Sequence, residues 1–484
     1  MHGALPNREC NGLVTAADTE PAPPKPVDHP TVEERNARGR AARTAVPRAV
    51  HAELPDEERD PVATLEEQAR ARVPELVPIR HARMAASPFA FLRGAAAIMA
   101  RDLSDAPRTS LEVQLCGDAH LANFGGFASP ERTLVFDLND FDETLPGPFE
   151  WDVKRLAASV EVAARDRGFK RGERREAVLA AVRAYREAMR AFAGMPNLVV
   201  WYARLDAHDF QQRLHAHGLR PAGRAFERAV AKARTKNSIR AFTKLTETVD
   251  GELRIVSAPP LIVPIRELTD VPDLESRLRD VLRVYRRTLQ PNRRALLEQF
   301  RLVDVARKVV GVGSVGTRAW IALLLGRDDR DPLFLQIKEA QASVLEPYLG
   351  RTKHANAGRR VVEGQRLMQS ASDIFLGWNR TVGIDGVERD FYVRQLWDWK
   401  TSVDLASVKP DGLAFYAGVC GETLARSHAR SGDRVAIASY LGKSDAFDRA
   451  LAEFAAAYAD RTERDHAALV AAIESGRVKA AEAA

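Results

Sequence analysis

The chain has 484 residues, of which 45% are hydrophobic, so it is long enough to bury two or three domain-sized cores. Its 72 basic residues only slightly outnumber its 66 acidic ones, which favours anionic ligands weakly and does not indicate nucleic acid as a partner. Three scattered cysteines are too few for a disulfide framework or a zinc cluster, and no apolar run reaches the length of a membrane span. The N-terminus also lacks the apolar stretch of a secretory signal, so we expect a cytoplasmic protein without a membrane partner.

The N-terminal part of the sequence divides at about residue 58. A cluster of prolines, a basic stretch and little apolar periodicity predict a disordered tail over residues 1–58. Next, Asp60-Pro61 and Ser87-Pro88 each place a helix-capping side chain before a proline at the first helical position. We therefore predict two helices, the second ending near residue 102.

Short β-type runs follow at residues 111–115 and 133–136, on either side of a loop that contains three glycines. They predict a small hairpin-like unit. From residue 152 to about residue 194, apolar residues recur at spacings of three and four, which predicts two amphipathic helices. Helices are predicted to continue, with interruptions, to about residue 300.

Beyond residue 300 the sequence changes to apolar and β-branched runs that are typical of strands. Predicted strands span residues 303–312, 319–325, 333–337 and 391–396, and predicted helices span residues 361–370, 413–430 and 446–472. The chain is therefore predicted to be an α+β protein, in which a small antiparallel sheet follows a large helical region.

Two polar motifs follow the predicted strands in the first third of the chain. In the run CGDAHLAN at residues 116–123, Asp118 and Asn123 lie five residues apart. Phosphoryl transfer needs such a pair, because an aspartate orients or deprotonates the acceptor hydroxyl and a nearby amide oxygen binds Mg²⁺. The second motif, FDLNDFDE at residues 136–143, supplies hard oxygen ligands suited to Mg²⁺, with Asp137 and Asp140 as the two candidates.

The same motifs resemble known families. Residues 117–125, 139–143 and 151–157, which read GDAHLANFG, NDFDE and WDVKRLA, resemble the bacterial domain of unknown function 2252 family over roughly residues 60–470. The first two also resemble the catalytic loop and metal-binding segment of aminoglycoside-phosphotransferase-like kinases.

This resemblance implies a role for each matched residue. Asp118 would be the catalytic-loop aspartate and Asn123 a metal ligand, while Asp152 would tie a helix to the loop. Asp137 ranks marginally ahead of Asp140 as the second metal ligand, because it ends an apolar strand, although Asp140 has the better spacing to Asp152. Such loops usually carry a histidine where this chain has Cys116.

The second half of the chain contains a glycine-rich segment, GVGSVG at residues 311–316, and then a strand that ends in Lys338. A glycine-rich hairpin followed by a lysine on a strand is the kinase arrangement, in which backbone amides cover the nucleotide's phosphates and the lysine pairs with them. Glu363 is the first candidate for the acidic partner of Lys338, and Glu346 is the alternative. The residues expected to bind the nucleotide are Gly311, Gly313, Ser314, Gly316, Lys338 and Glu363.

Each motif also has a purely structural interpretation. Asp118 and Asn123 could cap a turn, and the glycine-rich segment could be a β-turn without a ligand. A buried Lys338 would require an anionic partner. We interpret His120 as a residue that braces its loop, and we consider Arg93 and Lys154-Arg155 as either surface ion-pair residues or contacts to substrate or phosphate. The motifs are much less probable by accident together than singly.

The order of the motifs differs from that of ordinary kinases, because Asp118 precedes the glycine-rich segment by nearly two hundred residues. We therefore predict a bilobal, protein-kinase-like fold with a circularly permuted order. Its parts are a large helical lobe over residues 59–300, a small β-rich lobe over residues 301–400, and helices over residues 401–484 that return to the large lobe. The end of the helix at residues 413–430 should lie beside the strand at residues 111–115.

The function expected from this combination is an ATP- and Mg²⁺-dependent phosphotransferase that acts on an unknown small-molecule or protein acceptor. One alternative on the same fold is the transfer of AMP. The other is a non-catalytic, nucleotide-binding pseudokinase or scaffold.

Overall fold

The computed structural model describes residues 28–55, 58–235, 238–268, 274–309, 311–396 and 398–481, and in them the chain is an α+β protein, as predicted. The α-helices are α1 Val32–Ala45, α2 Pro61–Ala69, α3 Val77–Ala85, α4 Pro88–Gly94, α5 Ala96–Ser104, α6 Glu150–Asp166, α7 Arg171–Ala193, α8 Asn197–Tyr202, α9 Ala207–Ala216, α10 Arg220–Arg234, α11 Ser238–Leu245, α12 Leu274–Arg286, α13 Pro291–Leu297, α14 Glu346–Leu349, α15 Ala357–Met368, α16 Pro410–Ser431, α17 Arg434–Leu441 and α18 Ala446–Glu474. The strands are β1 Glu112–Leu115, β2 Phe124–Ala128, β3 Leu134–Leu138, β4 Leu145–Pro148, β5 Leu205–Asp206, β6 Thr246–Val249, β7 Glu252–Ile255, β8 Ile262–Pro264, β9 Arg301–Lys308, β10 Ala319–Leu325, β11 Pro332–Ala340, β12 Gly377–Val382 and β13 Glu388–Gln395. None of the helices in this part of the chain is both long and apolar enough to cross a membrane.

The largest sheet is antiparallel and has six strands in the order β12-β13-β11-β10-β9-β8. It contains the predicted strands of the small lobe, and β10 pairs with β11 so that Ala319 lies opposite Lys338. The first of these strands, predicted over residues 303–312, ends at Lys308, and residue 310 lies outside the described residues. The sheet also takes in β8, so it begins earlier in the chain than the predicted boundary at residue 301.

Strand β10 is in the interior of this sheet and is buried on both faces, because successive side chains of a strand point to opposite sides. Ala322 and Leu324 belong to a core that includes Tyr285 of α12. Ile321 and Leu323 belong to a second core that includes Ala241 of α11. The sheet is therefore held between helices on its two faces.

The helical part of the chain is organised around α7 and α16, which pack side by side together with α6, α17 and α18. The predicted apolar face of α7 is buried, at Val178, Val182, Tyr185 and Met189. A β-carbon on Gly421 of α16 would lie 2.0 Å from the carbonyl oxygen of Ala181, so the two helices approach at a point that only glycine permits.

The C-terminal end of α16 lies beside β1, as predicted. The backbone N–H of Gln114 donates a hydrogen bond of 3.2 Å to Oγ of Ser431. The next residue, Gly432, is so close that a β-carbon there would lie 2.6 Å from the side chain of Val113. Two segments that are more than 300 residues apart in sequence are therefore neighbours in the fold.

The prediction of disorder over residues 1–58 is wrong for most of the part that the structure describes. Helix α1 begins with a capping box between Thr31 and Glu34, and it packs against α17. It escaped detection because its buried face is made of small residues: a β-carbon on Gly39 would lie 2.1 Å from the carbonyl oxygen of Ala436. Residues 1–27 and 56–57, which share that prediction, lie outside the described residues.

Two further predictions in the first third of the chain need correction. The strand at residues 111–115 does not form a hairpin unit with the one at residues 133–136. Instead β1 pairs with β4, and β3 forms a hairpin with β2. The region predicted as two helices contains four, α2 to α5, although the predicted caps Asp60 and Ser87 both accept hydrogen bonds from helix N–H groups.

Candidate active site

The loop after β1 is held by buried side chains on two helices. The carboxylate of Asp152, in the first turn of α6, accepts hydrogen bonds from the backbone N–H groups of Cys116 at 2.6 Å and Gly117 at 3.0 Å. The oxygen of Asp152 that binds Cys116, Oδ2, also lies 3.2 Å from Nε2 of His428, a residue of α16. The predicted structural role of Asp152 is therefore confirmed, and His428 is a loop support that the sequence analysis missed.

Asp118 follows this turn and keeps part of its carboxylate accessible. Its Oδ1 accepts two hydrogen bonds from Arg155, one from Nε at 2.9 Å and one from Nη2 at 2.8 Å. Its Oδ2 lies 3.7 Å from Nε2 of His120, and the side chain is 25% exposed. Arg155 is buried and also donates to the carbonyl of Leu92, so it fixes Asp118 relative to α4.

Asn123 joins the two polar motifs. Its Nδ2 donates to the carbonyl oxygen of Asp118 at 3.1 Å and to that of Asp140 at 2.9 Å, and it also contacts Sγ of Cys116. Among the described residues, no hydrogen bond is donated to its Oδ1. The amide oxygen of Asn123 is therefore the atom left for a ligand.

Lys338 reaches the acidic motif from strand β11. Its ammonium nitrogen lies 3.2 Å from Asp140 and 2.6 Å from Asp142, whose other carboxylate oxygen accepts a hydrogen bond from Tyr392. The side chain of Lys338 is 2% exposed, whereas that of Asp140 is 41% exposed. The contact thus connects a buried ammonium to a carboxylate that solvent can reach.

The charges in this cluster stabilise one another. Burial by itself would lower the pKa of Lys338, but the carboxylates of Asp140 and Asp142 outweigh it and hold this pKa above its ordinary value. Burial would likewise raise the pKa of Asp140, but Lys338 and Arg394 hold it well below its usual range. Both groups are therefore charged at neutral pH.

Asp137, which ranked first as a metal ligand, lies elsewhere. Its carboxylate is fully buried, lies 2.5 Å from Nη2 of Arg426, and accepts hydrogen bonds from the backbone and hydroxyl of Ser370. A carboxylate that is saturated in this way supports the fold. Asp140, and not Asp137, is the acidic residue that lies at Lys338.

The predicted partners of Lys338 are also wrong. Glu363 is partly exposed and lies 3.9 to 4.0 Å from Arg359 and Arg366 on its own helix. Glu346 accepts a hydrogen bond from the backbone of Ser343. Helix α15 directs a different residue inward: Arg360 is buried and donates to the carbonyl oxygens of residues 142, 144 and 341.

The glycine-rich segment lies next to the acidic motif, with Oγ of Ser314 3.4 Å from Asp142. Gly311 and Gly316 have φ values of 68° and 88°, which glycine adopts without strain. Gly313 packs against the end of α4, since a β-carbon there would lie 3.1 Å from the carbonyl oxygen of Arg93. The segment therefore lies close to Asp142, the partner of Lys338.

An unpredicted N-terminal segment holds the glycine-rich segment in place. The backbone N–H of Val73 donates to the carbonyl of Gly316 at 2.8 Å, and Arg72 donates to that of Val315. Arg83 of α3 donates to the carbonyl of Gly311 at 2.6 Å. No motif pointed to these contacts, because arginine bonds to backbone carbonyls have no sequence signature.

Two cavities lie near these loops. A cavity of about 70 Å³ is lined by Asn139, Arg394 and Lys400, among others, and lies on the β13 side of the acidic motif. A larger cavity of about 500 Å³ is mostly apolar and is lined by residues of β2, β3, α9, α10 and α16. Neither Asp118 nor Lys338 lines the larger one.

Comparison with known proteins adds the family. Residues 72–472 match the sequence model of a bacterial family described as "Uncharacterized protein conserved in bacteria", DUF2252. The chain belongs to this family. No curated protein and no solved structure matches it. The part of this DUF2252 chain that matches contains Asp118, Asn123, Asp140 and Lys338, so the whole cluster lies within the family domain.

Proposed function

We propose that the chain is an ATP- and Mg²⁺-dependent phosphotransferase with a kinase-like, bilobal and circularly permuted fold. The observation that carries the proposal is the contact between Lys338 and Asp140. Asn123 bonds to the backbones of both Asp140 and Asp118, so the two polar motifs form one cluster with Lys338, which is about two hundred residues further along the chain. The glycine-rich segment beside it completes the set of parts that phosphoryl transfer uses.

Each residue has a role in this proposal that its surroundings support. Oδ2 of Asp118 receives the acceptor hydroxyl, because Oδ1 is already bonded to Arg155. Lys338 binds the phosphates, which replace Asp142 as its anionic partner. The glycine-rich segment covers them, and the base lies toward the smaller cavity between Asn139 and Lys400. Catalysis then depends on positioning and charge neutralisation.

The oxygen atoms at the site fit Mg²⁺. In the described residues, no three His, Cys, Asp or Glu side chains converge as a metal-binding group. Mg²⁺ in nucleotide sites needs fewer, since one or two protein ligands, phosphate oxygens and waters complete its shell. Oδ1 of Asn123 and the exposed carboxylate of Asp140 would hold the ion, and the ion would neutralise charge on the phosphates.

The circular permutation is supported by the position of α16. In small-molecule kinases with the ordinary order, a helix of this kind runs directly into the strand before the catalytic loop. Here the end of α16 and strand β1 are joined by the hydrogen bond between Ser431 and Gln114, although β1 comes long before α16 in the chain. We infer that the chain starts in the large lobe, forms the six-stranded sheet and returns.

A second candidate is a nucleotide-binding protein that does not turn ATP over. It is favoured by the two hydrogen bonds from Arg155 to Asp118, because they occupy Oδ1 of the carboxylate that would receive the acceptor hydroxyl. Turnover measurements separate the two candidates.

The test of the proposed function is product analysis with labelled ATP. The full chain is incubated with Mg²⁺, a mixture of acceptors and ATP labelled at either the α- or the γ-phosphate. We expect transfer of the γ-label, reduced by roughly 10²- to 10⁴-fold in Asp118→Asn. Transfer of the α-label would indicate AMP transfer instead. Binding without transfer of either label would support the non-catalytic candidate.

A further inference from the structure

A basic side chain next to Asp118 has no use in the proposed transfer. Arg93, in the last turn of α4, forms neither a hydrogen bond nor an ion pair through its guanidinium within the described part of the chain, and its Nε is buried without a partner. A buried guanidinium nitrogen without an acceptor is unfavourable, so an oxyanion that accepts a hydrogen bond from Arg93 would be stabilised at this position.

The position of Arg93 is fixed by contacts on two sides. The carbonyl of the preceding residue, Leu92, accepts a hydrogen bond from Arg155, the residue that also binds Asp118. The carbonyl of Arg93 itself packs against Gly313 of the glycine-rich segment. The end of α4 is therefore held between the Asp118 loop and the segment expected to cover the phosphates.

The electrostatic surroundings of Arg93 and Lys338 are different. Burial lowers the pKa of Arg93, and Asp118 is the carboxylate that opposes this effect. The ammonium of Lys338 instead lies 3.2 Å from Asp140 and 2.6 Å from Asp142. The two basic side chains thus belong to different parts of the cluster: Arg93 is in the turn that Arg155 joins to Asp118, and Lys338 is at Asp140 and Asp142.

His120 adds a second unpartnered group beside Asp118. Its side chain is buried, and its Nδ1 has no hydrogen-bond partner among the residues that the structure describes. The predicted loop-bracing hydrogen bond from this side chain is not formed, because Nε2 lies 3.7 Å from Oδ2 of Asp118, which is too far for a hydrogen bond.

We propose that Arg93 forms a binding site for an anionic group of the acceptor, a phosphate or a carboxylate, on the side of the cluster where Asp118 and His120 lie. This inference rests on the proposed function and narrows its substrate class to anionic acceptors. A guanidinium offers several donors in a planar fork that matches both kinds of oxyanion. The acceptor's hydroxyl then lies at Asp118, a few bonds from its anionic group.

The test is equilibrium dialysis of the full chain with labelled inorganic phosphate, and in a parallel arm with acetate, at constant ionic strength. We expect wild type to bind one of the two probes, and the tighter one identifies the acceptor's anionic group. Arg93→Gln should weaken that binding at least about tenfold, because a charge-assisted hydrogen bond is lost. The control Arg101→Gln removes an exposed positive charge from the neighbouring helix and should leave binding unchanged.

Two further measurements separate this proposal from the nucleotide site. Lys338→Met should keep phosphate binding, and a non-hydrolysable ATP analogue with Mg²⁺ should not displace the probe. If Arg93→Gln does not fold, Arg93→Lys, which keeps the charge, should retain binding, and Arg93→Glu should lose it.

The proposal is overturned if neither probe binds wild type, if binding survives in Arg93→Gln, or if the ATP analogue or Lys338→Met abolishes it. The last outcome would assign the anion to the nucleotide's phosphates. A failure of ATP itself to bind would instead contradict the proposed phosphotransferase. The comparison of phosphate binding by wild type and Arg93→Gln could then still be interpreted by itself.

Discussion

Individual carboxylates in this chain differ because of their partners and not because of their place in a motif. Asp137 and Asp140 are three residues apart in one acidic run, yet one is fully buried against Arg426 and the other is partly exposed at Lys338. The sequence alone favoured Asp137, since it ends an apolar strand. Which of two neighbouring carboxylates meets a buried arginine depends on α16, a helix almost 300 residues away.

Replacing these two residues should therefore change two different properties, stability for Asp137 and the Mg²⁺ requirement for Asp140. Asp137→Asn leaves Arg426 buried without its counter-charge, so we expect a loss of roughly 3 kcal/mol or more in the free energy of unfolding. The Mg²⁺ dependence of ATP binding should stay as in wild type. Asp140→Asn should raise the Mg²⁺ concentration needed for ATP binding and change stability less. Urea unfolding and Mg²⁺ titrations measure the two effects, and a shifted Mg²⁺ requirement in Asp137→Asn would reinstate it as the ligand.

Glu143 makes stability depend on pH. Burial raises its pKa to about 7, although its Oε2 accepts a hydrogen bond from the backbone of Val344. Because the folded chain holds this proton more tightly than the unfolded chain does, Glu143 lowers the free energy of unfolding as pH rises from about 4.5 to about 7. Above that range the penalty stays constant.

We expect Glu143→Gln to remove this dependence, because a glutamine cannot ionise. The difference in urea-unfolding free energy between the variant and wild type should shift in favour of the variant between pH 5 and pH 7.5. Taking the difference cancels the contributions of other titrating groups, such as His120. A constant difference over this range would show that Glu143 has an ordinary pKa.

At the scale of helices and strands, periodic apolar patterns predicted the elements correctly, whereas contacts between small residues left no recognisable pattern in the sequence. The apolar face of α7 and four strands of the six-stranded sheet, β9, β10, β11 and β13, could be predicted, because burial of their side chains follows the spacing of the sequence, whereas β8 and β12 were not predicted. Helix α1 could not, since it packs through Gly39 and Ala42 and has few apolar residues. The pairing of β1 with β4 also had no local signal, because strand partners depend on the whole fold.

The prediction of an acidic partner for Lys338 failed for the same reason, because ion pairs also depend on the whole fold. Arg360 and Glu363 are both polar residues on α15, one turn apart, and the sequence does not say which polar side of the helix meets the sheet. The structure buries Arg360 there. Asp142 could have been proposed from the sequence as a partner of Lys338, since it lies two residues after Asp140 in the same motif. The motifs thus predicted which segments come together in the cluster, but the ion pairs within it depend on the fold.

The contact between α7 and α16 should not tolerate even a methyl group at one point. In Gly421→Ala the added β-carbon would meet the backbone of Ala181, so the helices must separate, and we expect a loss of about 1–3 kcal/mol in the free energy of unfolding. Gly418→Ala, one turn earlier on α16, places its β-carbon at 3.7 Å from its nearest neighbour, an ordinary contact. That control should be neutral or slightly stabilising. Equal stability of the two variants in urea unfolding would mean that the helices can move apart freely.

For the whole molecule, the site joins parts of the chain that are separated by most of its length. Asp118 is in the loop after β1, Lys338 is on the six-stranded sheet, and the glycine-rich segment is held by residues 72–83. The helix that supports Asp152, α16, comes from the C-terminal part. From the sequence, the prediction that these segments meet depended on the resemblance to kinases. The hydrogen bonds and ion pairs between the segments show that they do meet.

Because the proposed nucleotide site forms only in the folded chain, a ligand there should stabilise the whole molecule. We expect Mg²⁺ with ATP to raise the melting temperature, since binding at about 100 times Kd contributes about 2.7 kcal/mol. Lys338→Met, which keeps the aliphatic stem but loses the ammonium, should fold and lose most of this increase. Glu363→Gln is the matched control. Within the described residues, Glu363 forms ion pairs only with arginines of its own helix, so this variant should keep the increase in melting temperature. Differential scanning calorimetry with and without Mg²⁺ measures the effect. No increase at millimolar ATP in wild type, or an equal increase in Lys338→Met, would exclude Lys338 from nucleotide binding and remove the main support for a phosphotransferase.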